Sequence, residues 1–273
     1  MPQVIRVSTT PRNRRELPVL WQLRLSHYNE KVRWALDHKR ISHVRRSLLP
    51  AAHAVVARRL TGEPTTPVLT LDGGSIGDST RIIAAIEERW PSPPLYPEEP
   101  SQRRRALELE EFFDEELGPH IRRASYQELL SRPDLLVPLF AQGQRLPARI
   151  LMRAAFPLLR KRMRLRLDIN PEAAQESRAR TEAAMDRLER EIQPSGYLVG
   201  DSFTVADLTA AALFYPVARP PEFPYPSVAD PPAGARAFLD PLAGRPGGRW
   251  VAQMYRRHRI PSAAAAGARG AAV

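Results

Sequence analysis

The sequence predicts a chain of two parts, a mixed α/β domain followed by an all-helical domain. Three observations support this prediction. Residues 18–90 alternate short apolar runs with helical periodicity, in the order β-α-β-α and then β-β-α. Residues 91–97 contain four prolines in seven positions, which a helix cannot continue through. After the prolines, from residue 101 onward, apolar residues recur only at helical spacing. We therefore expect the first domain to span 17–92 and the second 101–260.

The composition of the 273 residues excludes some kinds of binding site and catalysis. There is no cysteine, which excludes structural disulfides, thiolate metal sites and redox catalysis by a protein thiol. No His, Asp and Glu cluster has metal-ligand spacing, so we predict no metal. The net charge is +11, mostly from arginine. This charge indicates either an anionic partner or arginines on solvated helix faces. We favour the second and predict no nucleic acid partner, because no aromatic residues are interleaved with a basic motif.

The two ends of the chain are expected to lie outside the folded domains. Residues 1–16 are polar and basic and lack the apolar core of a signal peptide. The Ala- and Gly-rich tail after Pro261 is expected to be disordered. No run of 18 apolar residues occurs, so we predict no transmembrane helix and a cytoplasmic location.

The elements of the first domain follow from its apolar pattern. Residues 20–23 form the first predicted strand, and Ser26 opens a helix over 28–39 whose apolar face includes Val32 and Leu36. Residues 43–49 predict a second strand and 51–60 a second helix.

Two further strands and a helix complete the predicted first domain. Residues 68–71 and 75–76 are strands joined by an Asp-Gly hairpin turn. Asp78 and Ser79 then open a third helix, which ends before Pro91.

The second domain is predicted to be helical because its apolar residues form stripes at helical spacing. One predicted stripe consists of Leu107, Phe112, Phe113 and Leu117; another consists of Ala183, Ala184, Leu188 and Ile192 in a helix that begins after Pro171.

The end of the second domain has its own signals. Thr204 and Asp207 form a capping box that predicts a helix over 205–213. Residues 216–249 are expected to be irregular, and 250–259 to form a last helix.

A basic segment runs from Arg145 to Leu167 and has two interpretations. Its apolar residues fall near one helical face: Leu146, Ile150, Leu151, Ala154, Leu158 and Leu159. Pro157 is expected to split the segment into two helices. The segment is either a membrane-surface helix that makes peripheral membrane contact or a helix pair packed on the core with an arginine-rich outer face. We favour the second.

Four short motifs, in this order and spacing, resemble the soluble glutathione transferases. They are residues 26–36, Thr-Pro-Val-Leu at 66–69, Asp-Ser-Thr-Arg-Ile at 78–82, and the capping-box segment 202–208. The resemblance implies a thioredoxin-like first domain. It also implies a cytosolic homodimer that conjugates the thiolate of glutathione, its co-substrate, to an electrophilic small molecule. The absence of cysteine argues against the branches of the family that work through a protein thiol.

By this resemblance the catalytic residue is Ser26. It stands five residues before Lys31, like the active-site Ser or Cys of the Ser- and Cys-type transferases. A free thiol has a pKa of about 8.5, and lowering it below 7 requires about 2 kcal/mol of preferential interaction with the thiolate. A hydroxyl donor at a helix N-terminus supplies such an interaction. The alternative is that Ser26 only caps the helix. Tyr28 is the nearest rival donor.

The resemblance also assigns the residues that hold glutathione. Thr66 and Pro67 form a cis-proline turn facing the cysteinyl amide, unless the proline is an ordinary trans residue at a strand start. Asp78 and Ser79 take the γ-glutamyl end, unless they only cap the helix. His53 takes the glycyl carboxylate, unless it is an exposed surface histidine.

The second-substrate pocket of the family lies between the first helix and the helical domain. The candidates for this pocket are Tyr28, His120 and Tyr126. A non-catalytic binding protein of the same fold, and a site for a different low-molecular-weight thiol, both stay open at this point.

Overall fold

The computed structural model describes residues 17–228 and 230–265, which form a mixed α/β domain followed by a helical domain. The expectations for residues 1–16 and for the tail beyond 265 lie outside the described residues. Within the described ranges, no helix is long and apolar enough to span a membrane.

A four-stranded sheet forms the centre of the first domain. Its strands are β1 (Val19–Gln22), β2 (Val44–Ser47), β3 (Val68–Leu71) and β4 (Gly74–Gly77). Their order in the sheet is β2-β1-β3-β4, with β2 parallel to β1 and the other neighbours antiparallel. Helices α1 (His27–His38), α2 (Ala52–Thr61) and α3 (Ser79–Arg89) complete the predicted β-α-β-α, β-β-α order.

The core of the first domain lies between the sheet and helices α1 and α3. Leu20 and Leu69 project from the sheet against Val32 and Leu36 of α1 and Ile82 of α3, and all five side chains are fully buried. These residues belong to the periodic apolar positions from which the elements are predicted. Burying each of them stabilises the fold by roughly 1.5–3 kcal/mol.

The second domain is helical throughout its described elements. Its bounds are α4 (Pro100–Phe112), a π-helical turn (Phe113–Leu117), α5 (Gly118–Leu129), α6 (Pro133–Phe140), α7 (Leu146–Arg166), α8 (Pro171–Glu191), α9 (Val205–Leu213), α10 (Tyr215–Ala218), α11 (Ala233–Ala243) and α12 (Pro246–His258). Helix α9 lies at the centre of this domain, because all nine of its residues are buried.

The predicted capping box at the start of α9 is confirmed. The Asp207 carboxylate accepts the backbone N–H of Thr204 at 2.9 Å and that of Leu198 at 2.8 Å. The predicted helix bounds, 205–213, are those of α9. A fully buried helix needs such a cap, because its first N–H groups have no access to water.

Charged side chains of α1 are buried between the two domains, although they are not part of the apolar face that includes Val32 and Leu36. The Lys31 ammonium is fully buried and contacts Glu110 at 2.8 Å and Asp114 at 2.5 Å. Arg259, which follows α12, pairs with Glu30 and Asp37 at 2.7 Å each. Helix α1 therefore packs against the sheet on one side and against the helical domain on the other. Apolar periodicity detects only the first of these faces.

The chain after α12 returns to the first domain instead of forming a disordered tail. The Ala263 N–H donates to Asp37 at 2.8 Å, and Ala264 forms a bridge with His43 next to β2. The expectation of disorder is therefore wrong for residues 262–265. The segment is ordered because it covers the edge of β2.

The prediction that Pro157 splits the basic segment is also wrong, because α7 is one continuous helix. Proline removes one backbone hydrogen bond and disfavours a helix interior. Here Phe156 and Leu159, on either side of it, are buried against α6 in one apolar cluster. This packing holds both halves of α7 in one helix.

The side of α7 that packs on the protein is not the predicted one, except at Leu159, which belongs to the predicted face and is buried. Met152, Phe156 and Leu159 are buried, whereas five other large apolar side chains of α7 are exposed. Those five are Leu146, Ile150, Leu151, Leu158 and Leu165. Helical spacing places the two sets on opposite sides of the helix. Sequence periodicity gives two apolar faces here and does not tell which of them meets the core.

Three smaller expectations fail as well. Leu107 and Ala183 are exposed, and their neighbours Ala106 and Ala184 occupy the buried positions. The region 216–249 is not irregular throughout, because it contains α11 and the start of α12. Pro241 lies inside α11, which the buried Phe238, Leu239 and Leu242 hold on the helical domain.

Candidate active site

A cavity of about 910 Å³ lies between the two domains. The loop between β1 and α1, the start of α2 and the turn before β3 form its first-domain wall. Helices α5, α6, α7 and α10 and the start of α11 form the opposite wall. Ser26, Tyr28, His53, Thr66 and Tyr126 all line this cavity. The structure thus brings together five of the residues that the sequence analysis selects.

Ser26 is the N-cap of α1, and its hydroxyl oxygen accepts the backbone N–H of Asn29 at 3.3 Å. The Asn29 side chain is fully buried and donates to the Thr66 hydroxyl at 3.3 Å. Asn29 therefore links the start of α1 to the turn before β3. A hydroxyl has one proton and two lone pairs. Accepting a backbone N–H leaves the Ser26 proton free to be donated into the cavity.

The Thr66–Pro67 peptide bond is cis, as the sequence analysis expects. Thr66 lines the cavity directly, and Pro67 leads into β3. The alternative of an ordinary trans proline at this strand start is wrong.

Asp78 and Ser79 lie at the start of α3, outside the cavity lining. The Asp78 carboxylate accepts the Arg81 N–H at 3.0 Å and so caps the helix. Its backbone has φ +71° and ψ 132°, a conformation that costs a non-glycine residue about 1–3 kcal/mol and that concentrates at functional sites. Ser79 is the first helical residue and is buried. Thr80, next along α3, accepts Lys31 of α1 at 2.9 Å, which holds the start of α3 against α1.

His53 lies on α2 and is half-buried in the cavity wall. Its Nδ1 is buried without a hydrogen-bond partner among the described residues. Burial and the nearby Arg166 lower the pKa of His53, so the imidazole is neutral at pH 7. His53 therefore offers a hydrogen bond, not a full positive charge, to a group in the cavity.

Tyr28 also lines the cavity, but its hydroxyl is engaged elsewhere. It donates to the backbone carbonyl of Asp114 at 2.6 Å. Burial and the Asp114 carboxylate raise the pKa of Tyr28 well above its usual range. Gly118 makes this contact sterically feasible, because a Cβ at that position would lie 2.1 Å from the Tyr28 hydroxyl. The tyrosine thus joins the two domains, and its proton is not free for the cavity.

Of the two pocket candidates on α5, one lines the cavity and one does not. Tyr126 faces the cavity beside Phe140 of α6, with ring centroids 6.5 Å apart. His120 lies outside the lining, and its Nδ1 is 3.2 Å from the Ser177 hydroxyl of α8. Position on the helix explains the difference, because residues six apart fall on different faces of an α-helix.

The positive charge of the cavity is not predicted from the sequence. Five arginines line it, and the lining residues that the structure describes include no Asp or Glu. Arg24 precedes Ser26 by two residues, and Arg122 lies on α5. A signal for Arg122 exists in the sequence: with Ser125, Tyr126 and Leu129 it forms an i, i+3, i+4, i+7 set, which shares one helical face. His27, beneath this region, adds no charge, because burial and the nearby Arg122 lower the pKa of His27 to about 3.

The residues that the structure describes contain no group of three or more His, Cys, Asp or Glu that could hold a metal ion. The polar side chains that line the cavity carry hydroxyl, imidazole, amide and guanidinium groups. Such groups can donate hydrogen bonds to an anion.

Comparison with solved structures supports the fold. A glutathione S-transferase from Methylobacterium radiotolerans, solved in complex with glutathione sulfonate, is 22% identical with a TM-score of 0.58, over 89% of this chain and 92% of its own. A glutathione S-transferase from Pseudomonas fluorescens is 17% identical, with a TM-score of 0.59 over 90% and 98% of the two chains. The β-etherase LigF from Sphingobium sp. strain SYK-6 is 20% identical, with a TM-score of 0.56 over 87% and 99%. At these identities the likeness concerns the fold alone.

Comparison of the sequence itself identifies the family. No curated protein matches the chain significantly. The family model of the glutathione S-transferase N-terminal domain matches residues 20–94, and that of the C-terminal domain matches residues 171–246. Both models match in the expected order and together span more than half of the 273 residues, so the chain belongs to the glutathione S-transferase family.

Proposed function

We propose that the protein is a glutathione transferase that conjugates the glutathione thiolate to an electrophilic small molecule. The observation that carries this proposal is the juxtaposition of the Ser26 hydroxyl with Thr66, which precedes the cis proline, in one cavity between the domains. We also propose that the protein forms a homodimer. Sedimentation equilibrium tests this part of the proposal, because it measures the mass of the protein in solution.

The proposed catalytic group is the Ser26 hydroxyl, acting as a hydrogen-bond donor. The Asn29 N–H occupies one lone pair of its oxygen, which leaves its proton for the thiolate. Ser26 also stands at the N-terminus of α1, where the helix dipole favours a negative charge. A charge-assisted hydrogen bond contributes about 1.5–3 kcal/mol, which is the size needed to bring a thiol pKa of about 8.5 below 7.

The proposed glutathione-binding groups belong to the first domain, with His53 and Thr66 in the cavity lining and Asp78 and Ser79 at the start of α3 outside it. The Thr66 backbone is available to the cysteinyl amide, and His53 to the glycyl carboxylate. The start of α3, with Asp78 and Ser79, is available to the γ-glutamyl end. Asp78 carries a negative charge for the γ-glutamyl ammonium, and helix α3 offers backbone N–H groups to its carboxylate. The electrophile then enters from the side of α5 to α7, where apolar residues line the cavity.

Calorimetric titration of glutathione, with ultraviolet detection of the bound thiolate, tests this proposal. We expect the wild type to bind glutathione with a thiolate signal that Ser26→Ala loses. Ser42→Ala is the matched control, because Ser42 is an exposed serine of the same domain. Binding without a thiolate signal would indicate a non-catalytic binding protein. If the wild type binds no glutathione, the proposal fails for this thiol, and a screen of other low-molecular-weight thiols follows.

A second proposal concerns α7, and one observation favours it. Five of the eight large apolar side chains that are exposed in the described part of the chain lie on this helix. The helix also carries seven exposed basic residues and no acidic residue. We propose that this face of α7 binds the surface of an anionic membrane. Each basic residue near an anionic bilayer contributes about 1 kcal/mol, and the apolar residues add insertion into the interface.

The charge of α7 argues against a second copy of this chain as the partner. Two such faces would bring like charges together, which opposes association. Vesicle flotation tests the membrane proposal. We expect flotation with phosphatidylglycerol-containing vesicles at low salt and none with phosphatidylcholine alone. Leu158→Glu should abolish it, and Val55→Glu, at a somewhat more exposed position on α2, should not. Flotation that is unchanged by Leu158→Glu, or self-association that this variant abolishes, would refute the proposal.

A further inference from the structure

Two arginines of the cavity differ from the other arginines that the structure at least partly buries. Among the described residues, nine other buried or half-buried arginines each have a carboxylate oxygen within 3.9 Å. Arg24 and Arg122 are half-buried and form no such pair with a described residue. Both line the cavity. Among the described residues, the half-buried arginines without a carboxylate partner thus both lie in the lining of this cavity.

The guanidinium groups of Arg24 and Arg122 also leave a donor unused, because the Nε atom of each is buried and has no partner among the described residues. The Nε atom of Arg178 is likewise without a partner, but Arg178 is paired with Glu128. Arg24 lies over the ring of Tyr225, with its guanidinium carbon 5.2 Å from the ring centroid, and it approaches Gly143 closely. Burial lowers the pKa of the Arg24 guanidinium, as expected for a charge that has lost water without gaining a carboxylate. A half-buried charge of this kind is costly unless an anion accompanies it.

Much of the cavity wall that α5, α6 and α7 form is apolar, although Arg162 and Arg166 of α7 also line it. Leu129, Leu136, Phe140, Leu159 and Met163 line the wall that α5, α6 and α7 form. A site that combines unpaired guanidinium groups with such a wall fits a molecule that carries an anionic group on an apolar body. An uncharged apolar molecule would leave the two charges without a partner. A small inorganic anion would leave the apolar wall unused.

Glutathione itself does not account for Arg122. The residues proposed for glutathione belong to the first domain, whereas Arg122 lies on α5 of the second, on one helical face with Ser125, Tyr126 and Leu129. Neither matching family model covers residues 95–170, which contain this wall.

We propose that the second substrate is an apolar organic anion, such as a carboxylate or a sulfonate, whose charged group is bound by Arg122 with Arg24 as a second cation. As a substrate assignment this rests on the proposed transferase function; as a binding site it does not. The guanidinium groups donate to the anionic oxygens, and the apolar body lies against Leu129, Phe140 and Met163. Arg122 thereby selects the substrate and orients it near Ser26.

Two fluorescent probes of nearly the same shape test the proposal. The first, 8-anilinonaphthalene-1-sulfonate, is anionic; the second, N-phenyl-1-naphthylamine, lacks the sulfonate. Loss of a charge-assisted hydrogen bond corresponds to a weakening of roughly tenfold or more. We expect Arg122→Met to weaken binding of the sulfonate at least tenfold and to change binding of the uncharged probe less than twofold. Arg24→Met should act in the same direction.

Two control variants separate the cavity from the protein surface. Arg153→Met removes an exposed charge of α7, and Arg180→Met removes an exposed charge of α8 that pairs with Glu116. Neither should change binding of either probe. Thermal unfolding provides a second measurement: Arg122→Met should unfold at the wild-type temperature or above, because it removes a half-buried charge that has no carboxylate partner.

The results that would refute binding of an anion by Arg122 differ from the results that would refute binding of glutathione. If Arg122→Met weakens both probes equally, or neither, the cavity does not select anions through this residue. If it weakens glutathione but not the sulfonate probe, Arg122 belongs to the thiol site, and the proposal is wrong. If glutathione does not bind while the sulfonate probe still depends on Arg122, the transferase function fails, and the anion site stands.

Discussion

Replacing Lys31 with methionine should strongly destabilise the protein, because its ammonium group is buried between the domains. The Lys31 side chain has 0% exposure, and its partner Glu110 has 2%. Methionine retains most of the volume but leaves Glu110 and Asp114 as neighbouring carboxylates without a cation. Removing one partner of a buried ion pair costs about 3–5 kcal/mol. For a chain of this size such a loss lowers the midpoint of thermal unfolding by roughly 10 °C.

The cost of Lys31→Met should also depend on pH. Burial raises the pKa of Glu110, and Lys31 partly opposes that rise. A carboxyl group whose pKa is raised in the folded state favours folding below its unfolded pKa, and this contribution is lost as pH rises through the folded pKa. Without Lys31 the pKa of Glu110 rises further. We therefore expect the variant to be closer to wild type at pH 5 than at pH 8.

Urea unfolding at pH 5 and pH 8 measures both effects. Arg180→Met, which breaks an exposed pair with Glu116, is the matched control and should cost less than about 1 kcal/mol. Adding Glu110→Gln and Asp114→Asn to Lys31→Met should restore most of the stability, because no uncompensated charge then remains buried. A loss below 1 kcal/mol for Lys31→Met, or an equal loss at both pH values, would refute the reasoning.

Three further predictions concern the site and the core. Tyr28→Phe should lower the free energy of unfolding by about 1 kcal/mol, through loss of the hydrogen bond to the Asp114 carbonyl, and leave the glutathione thiolate signal intact; loss of that signal would identify Tyr28 as the donor. Ala51→Gly should raise the midpoint of thermal unfolding by a few degrees, because φ +73° at Ala51 strains a residue with a Cβ; an unchanged or lower midpoint would contradict this. Asp207→Asn should cost about 3 kcal/mol in urea unfolding, because the backbone N–H groups of Leu198 and Thr204 lose a buried carboxylate acceptor; a cost below 1 kcal/mol would contradict this.

The elements that sequence reasoning predicts well are those with local signals. Helix α9 begins at its capping box, and β3 and β4 join at the Asp-Gly turn, because these signals depend only on neighbouring residues. The start of α1 follows from Ser26 for the same reason. Such signals act within one turn of chain, so tertiary structure rarely changes them.

Sequence reasoning predicts poorly the elements whose buried face is decided by the helix that packs against them. Helix α7 has an apolar face on each side, and only the position of α6 determines that Met152 and Phe156 are buried while Leu151 and Leu158 are exposed. Pro157 gives a strong local signal for a break, but packing on both sides of it keeps the helix continuous. In both cases the tertiary contact outweighs the local preference.

The residues of the candidate site also differ in how well the sequence predicts them. Ser26 and the Thr66–Pro67 turn lie at element ends with local signals, and both line the cavity. Arg24 and Arg122 are no different in sequence from the other arginines of a chain with net charge +11. What distinguishes them is that the folded chain brings a carboxylate to every other arginine that is buried or half-buried in the described residues, and none to these two. That difference depends on pairing across the whole fold, so only the structure shows which charges the protein leaves free for a ligand.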